Sequence, residues 1–260
     1  MVKPHAEALA DRIVEGRWPS IECPVCESGH LVAQNFGEDV PDWLGDSASS
    51  SWSDWGDPSD ITGTFGIRFR CNNSARCGDY VHIVGDAEVD YNRTTLLNRD
   101  DPFETYFTVR YAYPPLRVVQ HPADTPKAVQ AELRNVGALI WSNPDAAMWT
   151  LRKAEEFLLD DQGVEKQKSN GSPIPLNDRL KTFAREKPEY ADVSELLLAV
   201  KWVGNDSTHG TTRNVREVLK MARFVELALE SLYSESDRDA ALRHARTINE
   251  NRRYTAPPAP

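Results

Sequence analysis

No run of about 18 or more apolar residues occurs in the chain, so a membrane-spanning helix is excluded. Positive charge is in deficit: 30 Lys and Arg stand against 40 Asp and Glu, a formal net charge of -10. A protein that coats nucleic acid indiscriminately neutralises phosphates with excess cations, so that class is excluded, though a local basic patch is not. No Ser-His-Asp arrangement, phosphate-binding Gly-rich loop or dinucleotide fingerprint is present. The opening stretch MVKPHAEALADRIVEGRW carries acids and no apolar segment, unlike a secretory signal, and the cytoplasm is the expected compartment. Cysteine is scarce, four in 260 residues, and in that compartment the four point to metal ligation rather than disulfides. A hydrophobic content of 40% is enough for a packed core, in one large or two modest domains.

The cysteines come in pairs. Cys23-Pro24-Val25-Cys26 is a C-P-x-C knuckle, and Cys71 and Cys77 form a second pair with five residues between them instead of the usual two. Residues 64–70 before the second pair and Tyr80-Val81-His82-Ile83-Val84 after it alternate as strands do. Two such pairs on small hairpins predict a zinc ribbon, in which four thiolates (Cys23, Cys26, Cys71, Cys77) hold tetrahedral zinc and the metal stabilises a β unit too small to stabilise itself. Two disulfides or unliganded buried cysteines are the alternatives the spacing leaves open, and His30 and His82 are spare candidate ligands.

Between the pairs, Glu38 to Asp60 holds Glu38, Asp39, Asp42, Asp46, Asp54, Asp57 and Asp60 with no Lys or Arg, and Trp43, Trp52 and Trp55 lie among them. This composition suits a mobile loop. It serves either to dock on a basic partner protein or as a solvated loop whose tryptophans cover the metal site. Residues 91–125 read as a connector, with an aromatic, strand-like run from Phe103 to Tyr113 followed by Pro114, Pro115 and Pro122.

The remainder is patterned as helices. A short one is expected over Pro4 to Gly16. Thr125-Pro126 and Asn143-Pro144-Asp145 each place a capping residue before a proline suited to the first turn. Leu176, Leu180 and Phe183 mark a shorter helix that stops before Pro188. Val193 to Tyr233 then reads as two amphipathic helices around the turn Gly204-Asn205-Asp206-Ser207-Thr208-His209-Gly210. A capping box at Asp192 and Glu195 starts the first, Gly204 ends it in a left-handed stop, and Thr211 or Thr212 caps the second. Arg213, Arg216, Lys220 and Arg223 fall on one stripe about 80° wide at 100° per residue, either a phosphate-binding surface or an ordinary solvated face. Asp237 to Arg253 closes the pattern as a polar helix, and residues 254–260 read as a disordered tail.

The block Asn143-Pro144-Asp145-Ala146-Ala147, Leu151-Arg152-Lys153-Ala154-Glu155, Leu176-x-x-Arg179-Leu180 and Val203-Gly204-Asn205-Asp206-Ser207-Thr208-His209 resembles the HEPN-type helical domains (higher eukaryotes and prokaryotes nucleotide-binding). It is most similar to a bacterial branch often attached to restriction and phage-defence proteins and often preceded by a zinc ribbon. The resemblance implies an all-helical bundle that forms a homodimer. In nuclease members an Arg, a following polar residue such as Asn, and a His meet across the dimer and cut RNA without metal. Asn205 and His209 match the last two, whereas Gly204 stands at the Arg position, which speaks against ribonuclease activity. His209 suits proton transfer near neutral pH, and Asn205 suits orienting it or bonding a phosphate oxygen. Each is equally suited to fixing the turn.

The sequence therefore predicts a mainly α protein. A small β-rich zinc ribbon with its acidic insert occupies residues 1–90, a connector 91–125, a HEPN-like bundle 126–253 and a tail 254–260. The expected function is a non-catalytic module that binds RNA, DNA or a protein through the turn, the stripe and Arg152. The alternatives are a metal-independent endoribonuclease using His209 and Asn205, with Arg213 or Arg216 as its cation, and an acidic decoy for a basic partner protein.

Overall fold

The computed structural model describes residues 4–34, 41–44, 60–91, 103–206 and 213–234, with residues 245, 246 and 248 beyond them. Helix α1 (Pro4–Leu9) leads into seven strands: β1 (Ile13–Val14), β2 (Ile21–Glu22), β3 (His30–Ala33), β4 (Asp42–Trp43), β5 (Thr62–Cys71), β6 (Tyr80–Tyr91) and β7 (Phe103–Tyr113). Helices α2 (Lys127–Leu139), α3 (Pro144–Asp161), α4 (Leu176–Glu186), α5 (Ala191–Asp206) and α6 (Val215–Tyr233) follow, with a 3-10 turn at Pro188–Tyr190 ahead of α5. No helix among the described residues is long and apolar enough to cross a membrane.

All seven strands join one antiparallel sheet in the order β1-β7-β6-β5-β3-β2, with β4 beside the far half of β5. Strands β5 and β6 alternate along most of their length, and β7 does so up to a shift in register opposite Val84 and Gly85. Phe65, Ile67 and Phe69 of β5, Val81 and Ile83 of β6, and Phe107 and Val109 of β7 are buried, while their neighbours face outward. Trp18 packs edge-on against Phe69 and stacks on Phe107. This period of two is what a sheet with one covered face demands.

The expected mainly α fold with a small ribbon is therefore corrected: 23% of the structure is strand against 45% helix, and the N-terminal half is an antiparallel half-barrel. The physical reason lies in strand length. The segments flanking the second cysteine pair continue into strands of 10 and 12 residues. The aromatic run in the expected connector is an 11-residue strand paired with β6 along its length. Burying one face of three such strands gives the sheet far more apolar packing than a small ribbon has.

Sheet and helices share one continuous apolar core. Polar contacts tie the halves as well. His5 Nε2 meets the Arg117 carbonyl at 3.0 Å, the Gln120 amide donates to the fully buried Glu226 at 2.6 Å, and Arg117 pairs with Glu27 at 2.6 Å. The cap of α3 is as read: Asn143 accepts the Ala146 amide at 3.0 Å with Pro144 behind it. Other boundaries differ. Helix α1 stops at Leu9, short of the expected Gly16, because Ile13 and Val14 pair with β7 as a strand. Pro126, not Thr125, precedes α2, with no side-chain cap. The cap of α6 is Asn214, in a reciprocal capping box with Glu217, rather than Thr211 or Thr212. Helix α5 runs through Gly204 to Asp206 instead of stopping at Gly204.

Candidate functional sites: a four-cysteine cage and a helix corner

Pairing of β2 with β3 and of β3 with β5 brings both cysteine pairs to one end of the sheet, with Leu31 opposite Cys71. The first knuckle closes on itself: the Cys23 amide donates to the Gly29 carbonyl at 2.8 Å and the Glu27 amide to the Cys23 carbonyl at 3.0 Å. Glu27 adopts a left-handed φ of 56° to make the turn. A side chain at Gly29 would meet Cys71 Sγ at 2.5 Å, so only glycine lets the knuckles close. In the second, the Cys71 amide donates to the Asp79 carbonyl at 2.8 Å and the Cys77 amide to the Asn73 carbonyl at 2.9 Å.

The sulfurs of Cys23 and Cys77 lie 3.8 Å apart and those of Cys26 and Cys71 3.6 Å, and all four fall within 4.8 Å of one another. Four sulfurs on a tetrahedron with metal–sulfur bonds of about 2.3 Å are separated by about 3.8 Å. A disulfide requires about 2.05 Å, and all four cysteines are free. The cluster has the donor set and spacing to hold one metal ion. Hydrogen bonding from the Ser28 backbone is the main reason the Cys26 thiol falls to about 6, while burial raises Cys23. His30 and His82, the spare ligand candidates, are both exposed and lie outside this group.

The second site is the corner where α3, α5 and the start of α6 meet. Gly204 is buried and helical, and a Cβ there would meet Arg152 Cδ at 2.4 Å and Cγ at 3.1 Å. The glycine is required by this close approach and not by its backbone angles. Arg213 precedes α6 and turns inward. Its Nη2 donates to the Val203 carbonyl at 2.8 Å, among the last carbonyls of α5, and its amide donates to Asp145 at 3.3 Å. Glu155, one turn after Arg152 on α3, is fully buried, with neither carboxylate oxygen hydrogen-bonded. Arg152 Nε is buried and unpaired as well.

Desolvation raises Glu155 well above the usual carboxylate range, opposed by the charge of Arg152. With the folded pKa above the unfolded one, the native state binds the extra proton. Stability is therefore full below the unfolded pKa of about 4.3 and falls as pH rises from there through the folded pKa. Glu155→Gln should remove this decline, so that its thermal midpoint gains on the wild type between acidic and mildly alkaline pH. Parallel pH profiles of the two proteins would show that Glu155 does not titrate this way.

The expected stripe is only partly assembled. Arg216 pairs with Asp11, and Arg223 with Glu226 at 2.9 Å and Glu230 at 3.6 Å. Lys220 is exposed and has no ion pair among the described residues. The end of α5 carries Asn205, while His209 and most of the acidic insert lie outside the described residues. Sequence reasoning missed the outer face of the sheet, where Arg68, Arg70, Tyr80, Tyr111 and Tyr113 are exposed. Its signal was the outward phase of the same alternation that marks the core.

The two halves also match different families. Residues 12–112 match the model of a domain of unknown function, DUF8608, and residues 134–251 match that of another domain of unknown function, DUF4145. No curated protein and no solved structure matches the chain.

Proposed function

We propose that the protein is a cytoplasmic, non-catalytic recognition module for nucleic acid in a bacterial nucleic-acid or phage-defence setting. Its sheet domain is held by a zinc ion on Cys23, Cys26, Cys71 and Cys77, and its helical half is a HEPN-like bundle. For zinc, the support is the fit of the sulfur spacing to tetrahedral thiolate ligation. For recognition without cleavage, one observation carries the reading. Position 204, where the nucleases of the resembled family keep Arg, lacks room even for a methyl group beside Arg152. A side chain at position 204 therefore cannot supply the cation that a phosphoryl transition state needs.

The proposal includes a homodimer through the helical half. Trp149 on α3 and Trp202 on α5 are more than half exposed on the two helices that build the corner, as apolar side chains at an interface would be.

An endoribonuclease using His209 and Asn205 is the second reading. It draws support from Arg213, whose guanidinium donates to the Val203 carbonyl near the end of α5. Incubation of single-stranded RNA with the protein in chelator separates the two. The recognition reading expects intact RNA, whereas cleavage that disappears in a folded His209→Ala variant establishes the nuclease.

A further inference from the structure

Of the surfaces the fold leaves open, the outer face of the sheet at its cysteine end has the most defined chemistry. The antiparallel register sets its exposed side chains in rows. Arg70 is opposite Tyr80; Arg68, His82 and Tyr113 share one row; Gly66, Val84 and Tyr111 share the next. Tyr80, Tyr111 and Tyr113 are 42%, 44% and 62% exposed, far from the burial usual for aromatic rings. The guanidinium of Arg68 lies 4.9 Å and that of Arg70 5.7 Å from the Tyr80 ring centroid. Both guanidinium groups thus lie over this ring and give the face a joined cationic and aromatic character. Gly66 leaves a shallow recess beside it, since a Cβ there would touch nothing nearer than Val84 Cγ1 at 3.7 Å.

The charge here runs against that of the whole chain. Neither Arg68 nor Arg70 has a carboxylate partner among the described residues, and Arg76 is exposed on the loop between Cys71 and Cys77. Two acids, Asp42 opposite Thr64 and Glu22 opposite His30, share this face outside the rows of Arg68 and Arg70, and others are held by arginines. Asp86 is bound by Arg110 at 2.6 Å, and Glu88 and Asp90, at the opposite end, are both bound by Arg12 at 2.8 Å. Asp79 lies 3.5 Å from the Cys77 sulfur.

We propose that this face, built on Arg68, Arg70, Tyr80, Tyr111 and Tyr113, binds single-stranded nucleic acid, with unpaired bases stacking on the tyrosines and the backbone phosphates held by the arginines. Exposed rings two residues apart on a strand stand about 6.6 Å apart, a spacing that an extended strand with splayed bases can follow and a stacked duplex cannot. Stacking on rings is tolerant of base identity, so the site discriminates single from double strands more than sequence. This deepens the recognition reading and rests on it. It places the ligand on the sheet rather than on the stripe of α6.

The test is fluorescence anisotropy of labelled oligo-dT, oligo-U and a duplex of matched length with the metal-loaded full chain. Both single strands should bind, with the duplex weaker. Tyr113→Ala should weaken binding by roughly fivefold or more and Tyr113→Phe by much less, because the ring carries the contact. Arg68→Ala with Arg70→Ala should weaken binding and flatten its salt dependence by about two phosphate contacts. These residues are exposed, so thermal midpoints should stay near wild type. Binding unchanged in these variants but lost in Lys220→Glu overturns the sheet site and leaves recognition through α6 standing. Preference for the duplex, or no association with any oligonucleotide at low salt, also overturns it. Cleavage of the RNA would instead overturn the non-catalytic reading.

Discussion

Cys71→Ser is expected to abolish stoichiometric metal binding and to lower the thermal midpoint by roughly 10 °C, since each kcal/mol moves a chain of this size by about 2–4 °C. Cys71 is buried, and its strand end pairs with Leu31, so this one sulfur joins the two knuckles through both the ligand set and the sheet. Structural zinc contributes about 10–16 kcal/mol of apparent binding energy in peptides that have no other core. Here the half-barrel packs Phe65, Phe69, Phe107 and Trp18 on its own. The loss should therefore be partial: the cysteine end of the sheet loosens and the helical half survives. Because thiolates ligate and thiols do not, acidification should release the ion before the fold melts. Elemental analysis with calorimetry checks both statements; a variant that keeps one ion per chain and its melting temperature would refute them. Arg70 directly precedes the cage residue Cys71 and Tyr80 follows Cys77 by three residues, so loss of metal should also weaken the binding assigned to the sheet face.

Gly204→Ala carries the second large effect, a destabilisation of about 1–3 kcal/mol, the usual range when a methyl group is forced into a packed site. The added Cβ would stand 2.4 Å from Arg152 Cδ. That atom is not the free end of a flexible chain, because Arg152 Nε beyond it is buried. Relief requires Arg152 to leave the corner, so the two positions should be coupled. In a double-mutant cycle, Gly204→Ala should cost clearly less when Arg152→Ala is already present. Additive costs, read from denaturant midpoints of the four proteins, would mean that Gly204 and Arg152 do not press on one another.

Much of the local structure was legible. The knuckle at Cys23 and Cys26 and the second pair at Cys71 and Cys77 stand where ligand spacing placed them. The Asn143-Pro144 cap is as read, because a side-chain cap is written within three residues. What failed was long-range. The alternation around Cys71 and Cys77 gave strands but not their number or partners, and one sheet of seven cannot be told from a hairpin by a period of two alone. Phe103 to Tyr113 read as an extended connector because nothing local says that it pairs with β6. Gly204 shows the same limit in the helices. A glycine near the end of an amphipathic run suits a left-handed stop, yet here it answers to Arg152, fifty-two positions earlier in the chain. The stripe on α6 was legible as a helical face. That Asp11 and Glu226 would engage two of its arginines was not, since Asp11 comes from the N-terminal segment.

Capture of nucleic acid without cutting it is the behaviour expected of the whole chain. The most direct measurement loads one mixture of protein and labelled single-stranded RNA on a native and a denaturing gel side by side. We expect a retarded band on the first and full-length RNA on the second. Shortened RNA on the denaturing gel, or an unshifted band at low salt on the native one, would contradict it.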